Sequence, residues 1–435
     1  YRTPLVDETD SNHIFEHAIL SSSQKYPSNN LFFDVVGKTY NTYVNAFTYN
    51  NFTMFPLGSQ SEEQLLLGAD VYLSCMVSPG LLRDPQIFKR EALRYMLYDV
   101  DDPISMGGTV FSEDMGYMTS VGMEGGRNIL QGLYPGEYAA NYIGRAHANY
   151  RDLTFEHVAE THERCYRFDN ALLLLYGDLD YRGFLEFMDR EYLSKTEKRG
   201  TDLSAYDDPV TAPGYVEEVV YAPAYEGDSA EDASVIYYGI DLDGQEWETL
   251  LEDDLLSIML SSDSSVFHEN LKEAGLTAPT FASISMDTAK PFFIFGMEYA
   301  NPEDAAPFKA VVEKTLADVA QNGLDDELVD TVLKSKALDD YTMMENTSVI
   351  IEEIFPVICM KWVQSGEMDL LPQTEAVFRA VEKDTDQELI RKLAQSLKNA
   401  PPQRYGYHGP QVGAGGTTGG GAGGVSGRDE GRHDA

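Results

Sequence analysis

Two histidines near the start of the chain have the spacing of metal ligands. They lie in the sequence His13-Ile14-Phe15-Glu16-His17. Residues four apart on a helix are about 40° apart around its axis, so both imidazoles leave the same face. Two such nitrogens can bind one tetrahedral zinc ion. Glu16 would lie next to the metal, where its carboxylate can take a proton from zinc-activated water.

The alternative is a chance match, because exposed helices carry His and Glu freely. The chain has eight histidines, and only this pair is four residues apart. The other histidines have no partner at ligand spacing: His147, His157, His162, His268, His408 and His433. The order His-x-x-Glu-His is also the inverted form of the common zinc-peptidase signature.

Composition indicates a folded protein with a strongly acidic surface. The chain has 435 residues, enough for two domains, with 43% hydrophobic and 24% charged residues. Its formal charge of −40 repels nucleic acid and anionic membranes and favours cationic ligands. For most of the carboxylates, the alternative reading is that they only keep the protein soluble.

Cysteine usage and hydropathy bear on the compartment. Cys75, Cys165 and Cys359 are odd in number and far apart, which argues for a reducing environment without a disulfide framework. No apolar run approaches the roughly 18–20 residues of a membrane helix. We therefore expect a cytoplasmic protein or, alternatively, one of an organelle matrix.

The elements around the motif can be read from local signals. Thr9, Asp10 and Ser11 are candidate N-caps for a helix that runs through His13. Residues 42–49 are rich in β-branched and aromatic side chains and predict a strand. Residues 88–97 are expected to be extended, and the apolar run 171–176 predicts a strand buried on both faces.

The same order of elements returns after a charged, turn-rich stretch. We predict a zinc-binding domain at 1–200, a linker at 201–212, a second homologous domain at 213–400 and a glycine-rich flexible tail at 401–435. The fold class is therefore predicted to be α+β, with helices packed on a mostly antiparallel sheet in each domain. The motif does not recur in the second domain.

Several blocks of sequence resemble one family. Residues 13–17, followed by Leu20, Ser22 and Lys25-Tyr26-Pro27, are similar to the M16 (pitrilysin/insulinase) metallopeptidases and, within them, to the presequence-protease branch. Residues 41–49, 90–95 and 110–116 match three further blocks in the same order. The likeness extends over roughly residues 1–370.

The resemblance implies a complete catalytic zinc site. By alignment, His13, His17 and Glu113 would bind one zinc ion, and Glu113 lies 96 residues after His17. Three protein ligands leave the fourth position open, as catalysis needs. Glu16 would be the general base. Asn45, Ala46, Phe47 and Thr48 would bind the substrate backbone by strand addition, although an ordinary edge strand is the alternative for this segment.

The resemblance also implies missing parts. The family's first strand would precede residue 1, and its second half, which closes a peptide chamber in the one-chain members, has no counterpart here. We therefore expect a C-terminal half or a partner subunit.

Three hypotheses follow from the sequence. The first is a zinc endopeptidase that degrades unstructured peptides, including basic ones, within an enclosed chamber. The second is a non-catalytic scaffold or regulatory subunit of an M16-type assembly, which would not need all four site residues. The third is a zinc-binding regulator without turnover.

Overall fold

The computed structural model describes residues 1–7, 9–117, 129–135, 138–141, 150–200, 216–222, 231–343, 345–400 and 403–410. Helices of the first 200 residues are α1 (Ser11–Ile19), α2 (Leu31–Lys38), α3 (Glu62–Val77), α4 (Pro85–Glu91), α5 (Thr109–Tyr117), α6 (Phe155–Cys165) and α7 (Tyr181–Glu191). Those that follow are α8 (Trp247–Ser261), α9 (Val266–Glu273), α10 (Ala305–Asn322), α11 (Asp326–Met343), α12 (Phe355–Ser365), α13 (Leu370–Lys383) and α14 (Glu388–Asn399).

The strands of the first 200 residues form short antiparallel ladders. They are β1 (Tyr43–Val44), β2 (Phe47–Thr48), β3 (Thr53–Met54), β4 (Leu57–Gly58), β5 (Arg94–Met96) and β6 (Ser105–Gly107). β1 pairs with β4, β2 with β3, and β5 with β6. The strand predicted at 42–49 is thus two short strands, because the chain leaves the ladder at Asn45 and Ala46.

The strands after residue 200 form one five-stranded sheet. They are β7 (Val216–Ala222), β8 (Ser234–Asp241), β9 (Thr280–Ser285), β10 (Phe292–Ala300) and β11 (Gln403–Pro410), in the spatial order β7-β11-β8-β10-β9. β7 and β11 are parallel, and the other pairs are antiparallel. The α+β class and the mostly antiparallel pairing are therefore confirmed for this region.

Each region has its own hydrophobic core. In the first, α1 is buried along one side by Ile14, Phe15, Ala18 and Ile19, all fully inaccessible. In the second, helices α8 to α14 contribute to the core that covers one face of the sheet. Six buried residues of the first region pack on the opposite face: Ile129, Leu130, Leu133, Tyr134, Ala139 and Ala140. The Tyr134 hydroxyl donates to Asp241 at 2.6 Å.

Polar contacts also join the two regions. The Arg2 guanidinium lies 4.1 Å from the centre of the Trp362 ring and donates to the Trp362 carbonyl at 2.9 Å. The Asn51 amide donates to the Thr288 carbonyl at 3.0 Å. These partners lie more than 230 residues apart in sequence, so they fix tertiary contacts that no local signal encodes.

The predicted buried strand at 171–176 is wrong. The segment belongs to no sheet among the described residues, and none of its six residues is buried. With β3, β4, Ile350 and Ile351 it lines an apolar cavity of about 480 Å³. Its continuous leucines face this cavity or solvent, because no strand among the described residues pairs with it.

Two further expectations need correction. Residues 88–97 begin in helix α4 and only then become β5, because Asp84 caps a helix that has Pro85 in its first turn. Residues 403–410, assigned by composition to the flexible tail, form β11. The predicted linker at 201–212 and the rest of the tail lie outside the described residues.

Two further observations concern the cysteines and the helices. Cys75, Cys165 and Cys359 are buried free thiols. Among the helices that the structure describes, none combines the length and apolar character of a membrane span.

Candidate metal centre

Helix α1 carries both motif histidines, and buried contacts hold it in place. The Asn12 amide donates to the carbonyls of Thr3 and Pro4 at 2.7 and 3.2 Å. On the core side, the Phe15 ring packs 4.3 Å from that of Tyr166, measured between centroids. Since the apolar face is fixed inward, His13 and His17 are left on the opposite, accessible face.

The structure brings Glu113 to these histidines. The Glu113 Oε2 atom lies 3.5 Å from Nε2 of His13 and 3.5 Å from Nε2 of His17. One ligand atom from each side chain lies within 4.8 Å of the others. Two atoms bound tetrahedrally to zinc at 2.0–2.2 Å would be about 3.3–3.6 Å apart. The two-nitrogen, one-oxygen set therefore fits a zinc ion in both chemistry and spacing.

Helix α5 orients Glu113 by burying its neighbour. Asp114 is fully buried, and its carboxylate accepts a hydrogen bond of 2.8 Å from the Tyr150 hydroxyl. Because the adjacent residue is anchored inward, Glu113 points outward, and its side chain is 42% exposed. It reaches the histidines from solvent, so the metal position stays accessible.

Glu16 lies beside the three candidate ligands but is buried. One of its oxygens, Oε2, accepts a hydrogen bond of 2.9 Å from Thr48 Oγ1. Burial raises the pKa of Glu16, and the nearby His13 and the Thr48 hydrogen bond only partly oppose it. A carboxylate with a raised pKa is a stronger proton acceptor, which suits a general base.

The two histidines have different electrostatic surroundings. Burial alone would lower the pKa of His13, but Asp10, Glu16 and Asp114 outweigh it and raise the pKa to about 9. Burial and the neighbouring His13 lower the pKa of His17. The acidic surroundings thus favour a positive charge at His13, whether a proton or a metal ion supplies it.

All predicted site residues line one cavity of about 900 Å³. The cavity contains the metal cluster and Glu16, and β2 with the preceding Asn45 and Ala46 forms one wall. Within the described part of the chain, β2 has a strand partner on one edge only. The Asn45 side chain accepts from the Ala46 amide at 3.0 Å, so it shapes its own turn.

Sequence reasoning missed one buried group at the site. Asp10 appears in the sequence only as a cap candidate, yet its side chain makes no cap hydrogen bond. Its Oδ2 lies 3.5 Å from His13 Nδ1. The sequence does contain a signal for this contact. Asp10 and His13 are three residues apart, and side chains at that spacing on a helix can meet. Asp10, His13 and Asp114 form a second group of metal-ligand types.

Comparisons with known proteins show which families and folds this chain is similar to. A family model described as "Peptidase M16 inactive domain" matches residues 152–336. The protein HypA of Clostridium perfringens is 28% identical over 334 residues, which are 76% of this chain and 34% of HypA. The mitochondrial presequence protease of Xenopus tropicalis is 27% identical over 405 residues, 91% of this chain and 39% of that protease.

A solved structure shows the same fold. The crystal structure of a protease from Helicobacter pylori superposes with a TM-score of 0.70 at 15% identity, over 93% of this chain and 89% of that one. The architecture is thus that of the M16 peptidases. The chain resembles the M16 peptidases and, among them, the presequence proteases.

Two features of these matches bear on function. The chain spans about a third to two fifths of the length of the curated relatives named above. The segment matched by the inactive-domain model begins at residue 152, after the last predicted site residue, Glu113. That description therefore concerns a part of the chain without the His-x-x-Glu-His motif.

Proposed function

We propose that this chain carries the zinc centre of an endopeptidase that degrades unstructured peptides. One observation carries the proposal: the ligand atoms of His13, His17 and Glu113 lie within 4.8 Å of one another, with Glu16 in the same cavity. The histidines and Glu113 come from helices joined by tertiary contacts alone. A scaffold would gain nothing from an accessible cluster of this kind beside a buried carboxylate.

Zinc, when bound by these residues, supplies a Lewis acid that polarises a peptide carbonyl and lowers the pKa of water. Glu16 then has the task of accepting a proton and passing it to the leaving amine. Its burial raises its pKa, and the Thr48 hydroxyl, 2.9 Å away, holds its carboxylate towards the cavity. Both features suit a base that must take up and release one proton in each cycle.

β2 is the proposed docking edge for substrate. An extended peptide can add to a free strand edge through main-chain hydrogen bonds, which reads peptide shape more than sequence. Thr48 belongs to this strand and also contacts Glu16, so a docked backbone would lie beside the base. The charge of −40 favours basic peptides through long-range attraction.

A complementary half is part of the proposal. The curated relatives are about two and a half to three times as long as the matched region, and the cavity is open on the side of Glu113. We infer that a second half, in the same chain or in a partner subunit, would enclose the cavity and exclude folded proteins by size.

The substitution Glu16→Gln tests the assigned base. It removes the proton acceptor with little change in shape, so cleavage of an unstructured fluorogenic peptide should fall at least about 10²-fold, while bound zinc stays near one per chain. The assay uses the chain alone and with its complementary half. Glu269→Gln, an exposed change in α9, is the control and should leave both values unchanged. Undiminished cleavage by Glu16→Gln would refute the assignment.

A non-catalytic role in an M16-type assembly is the second candidate, and the inactive-domain match favours it. It predicts that the wild-type chain, even with its complementary half and zinc, cleaves no better than Glu16→Gln. Binding of zinc without turnover would indicate a regulator, whereas absence of both would indicate a scaffold.

A further inference from the structure

The start of α1 contains a buried carboxylate that the proposed mechanism does not use. The Asp10 side chain is 2% exposed. Neither of its oxygens has a hydrogen-bond partner among the residues that the structure describes. Burying a carboxylate that accepts no hydrogen bond is costly. A group kept in this state therefore needs a role that the surrounding fold does not supply.

Helix capping is not that role. Asp10 occupies the N-cap position of α1, but its side chain makes no cap hydrogen bond. Its backbone is in the left-handed region, with φ 60° and ψ 29°, whereas an N-cap residue is normally extended. Left-handed backbone is strained for a residue other than glycine. This conformation turns the carboxylate towards the third residue of the helix, His13.

The two nitrogens of His13 face different groups. Nε2 points to Glu113 and the proposed zinc position, at 3.5 Å from the Glu113 carboxylate. Nδ1 lies on the other side of the ring, 3.5 Å from Asp10 Oδ2, and has no hydrogen-bond partner among the described residues. A metal-binding histidine characteristically donates its second N–H to a carboxylate, which fixes both the tautomer and the orientation of the ring.

We propose that Asp10 is a positioning residue for the zinc ligand His13. Its carboxylate accepts the Nδ1–H of His13 and so holds the tautomer whose Nε2 lone pair faces the metal. The separation of 3.5 Å is slightly longer than an N–H···O hydrogen bond, and a small rotation of either side chain closes it. This inference rests on the proposed zinc centre but assigns a residue that the His-x-x-Glu-His motif does not contain.

The second group of ligand types offers a rival role for Asp10. Asp10, His13 and Asp114 could in principle hold another cation. However, Asp114 already accepts a hydrogen bond from Tyr150 at 2.8 Å. His13 would also have to bind two cations through both ring nitrogens, which requires loss of its last N–H. A hydrogen bond from Nδ1–H to Asp10 needs neither change.

Zinc affinity measured by competition with a chelator tests the proposal without an activity assay. Asp10→Gly removes the carboxylate while favouring the left-handed backbone. Asp10→Asn tolerates that backbone and keeps a weaker, neutral acceptor. We expect the dissociation constant for zinc to rise about 10-fold in Asp10→Asn and about 100-fold in Asp10→Gly. In Co²⁺-loaded protein, the visible absorption spectrum should change with both.

A matched control separates positioning from helix stability. Asp84 is also an N-cap aspartate, and its side chain does cap its helix, accepting from the Gln86 amide at 3.0 Å. Asp84→Asn should therefore leave zinc affinity unchanged. The metal-free Asp10→Gly protein should give the circular dichroism spectrum of the wild type and melt at no lower temperature, which shows that the helix has formed.

The outcomes distinguish this inference from the proposed function. Wild-type zinc affinity in both Asp10 variants would overturn the positioning role and leave the zinc centre intact. A second equivalent of zinc that disappears with Asp10 substitution, while the first is unchanged, would also overturn it. If His17→Ala binds zinc as tightly as the wild type, the zinc centre itself is wrongly assigned and the proposed function fails.

Discussion

The two regions of this molecule are built from similar elements but pack their strands differently. In the region after residue 200, strands β7 to β11 form one sheet, and seven of the eight residues of β8 are buried. In residues 1–200, the described strands form three separate two-stranded ladders. The first region has an open cavity beside α1, whereas the second region has a closed hydrophobic core. A reactive site needs access, whereas a scaffold needs packing.

The regions also differ in their buried acids. In the first, Asp10 and Glu16 lie beside histidines at the candidate metal centre. In the second, Asp253 is 1% exposed on α8, and no metal-ligand cluster occurs among the residues described there. Burial of an acid can thus serve a site in one region and only weaken folding in the other. Four predictions test this contrast, from the largest expected effect to the smallest.

The largest effect concerns metal binding. His17→Ala removes one of three ligands and should reduce bound zinc from about one per chain to near zero, because two protein ligands hold zinc weakly. His268→Ala removes a histidine of the second region and should leave zinc content unchanged. Elemental analysis after dialysis measures both. If His268→Ala lost zinc and His17→Ala did not, zinc binding would belong to the second region and not to the first.

The second prediction compares packing. Phe295 is fully buried in β10, so Phe295→Ala should lower the free energy of unfolding of the second region by about 3–5 kcal/mol. Leu173 is 44% exposed in the 171–176 segment of the first region, and Leu173→Ala should cost less than about 1 kcal/mol. Hydrogen exchange resolved by region measures both. Equal losses would mean that the 171–176 segment is packed as tightly as the sheet.

The third prediction concerns pH. Burial, reinforced by the charge of Glu252, raises the pKa of Asp253 from 3.8 to about 8. Between these values the folded state binds more protons than the unfolded state, so Asp253 weakens folding increasingly as pH rises from about 4 to about 8. Asp253→Asn should therefore raise the melting temperature at pH 8 and not at pH 4. Asp263 is fully exposed, so Asp263→Asn should leave the melting temperature unchanged at both pH values.

The smallest effect concerns charge. Attraction between a basic peptide and this acidic chain is screened by salt. Binding of such a peptide to the Glu16→Gln variant should weaken several-fold between about 0.05 and 0.5 M salt, while a neutral peptide of equal length should not respond. Fluorescence anisotropy measures both. Equal responses would show that the acidic charge serves solubility and does not select substrates.

Local signals predicted much of the fold and half of the site. Helical spacing identified the pair His13 and His17, because helix geometry alone decides which residues share a face. The pair Asp84-Pro85 marks the start of α4 by the same kind of local signal, because Asp caps a helix and Pro suits its first turn. The strand predicted at 171–176 failed because a strand needs a partner, and composition does not say whether one is present.

The sequence alone determined that two imidazoles and a carboxylate leave one face of α1, since four residues make about one helical turn. Its resemblance to a family supplied Glu113. Only the tertiary structure decided that Glu113 comes within 3.5 Å of both histidines, that Thr48 contacts Glu16 and that Asp10 faces His13. The first two contacts join residues far apart in sequence, and the third depends on a left-handed backbone. Packing sets such contacts, and no helical or strand periodicity encodes them.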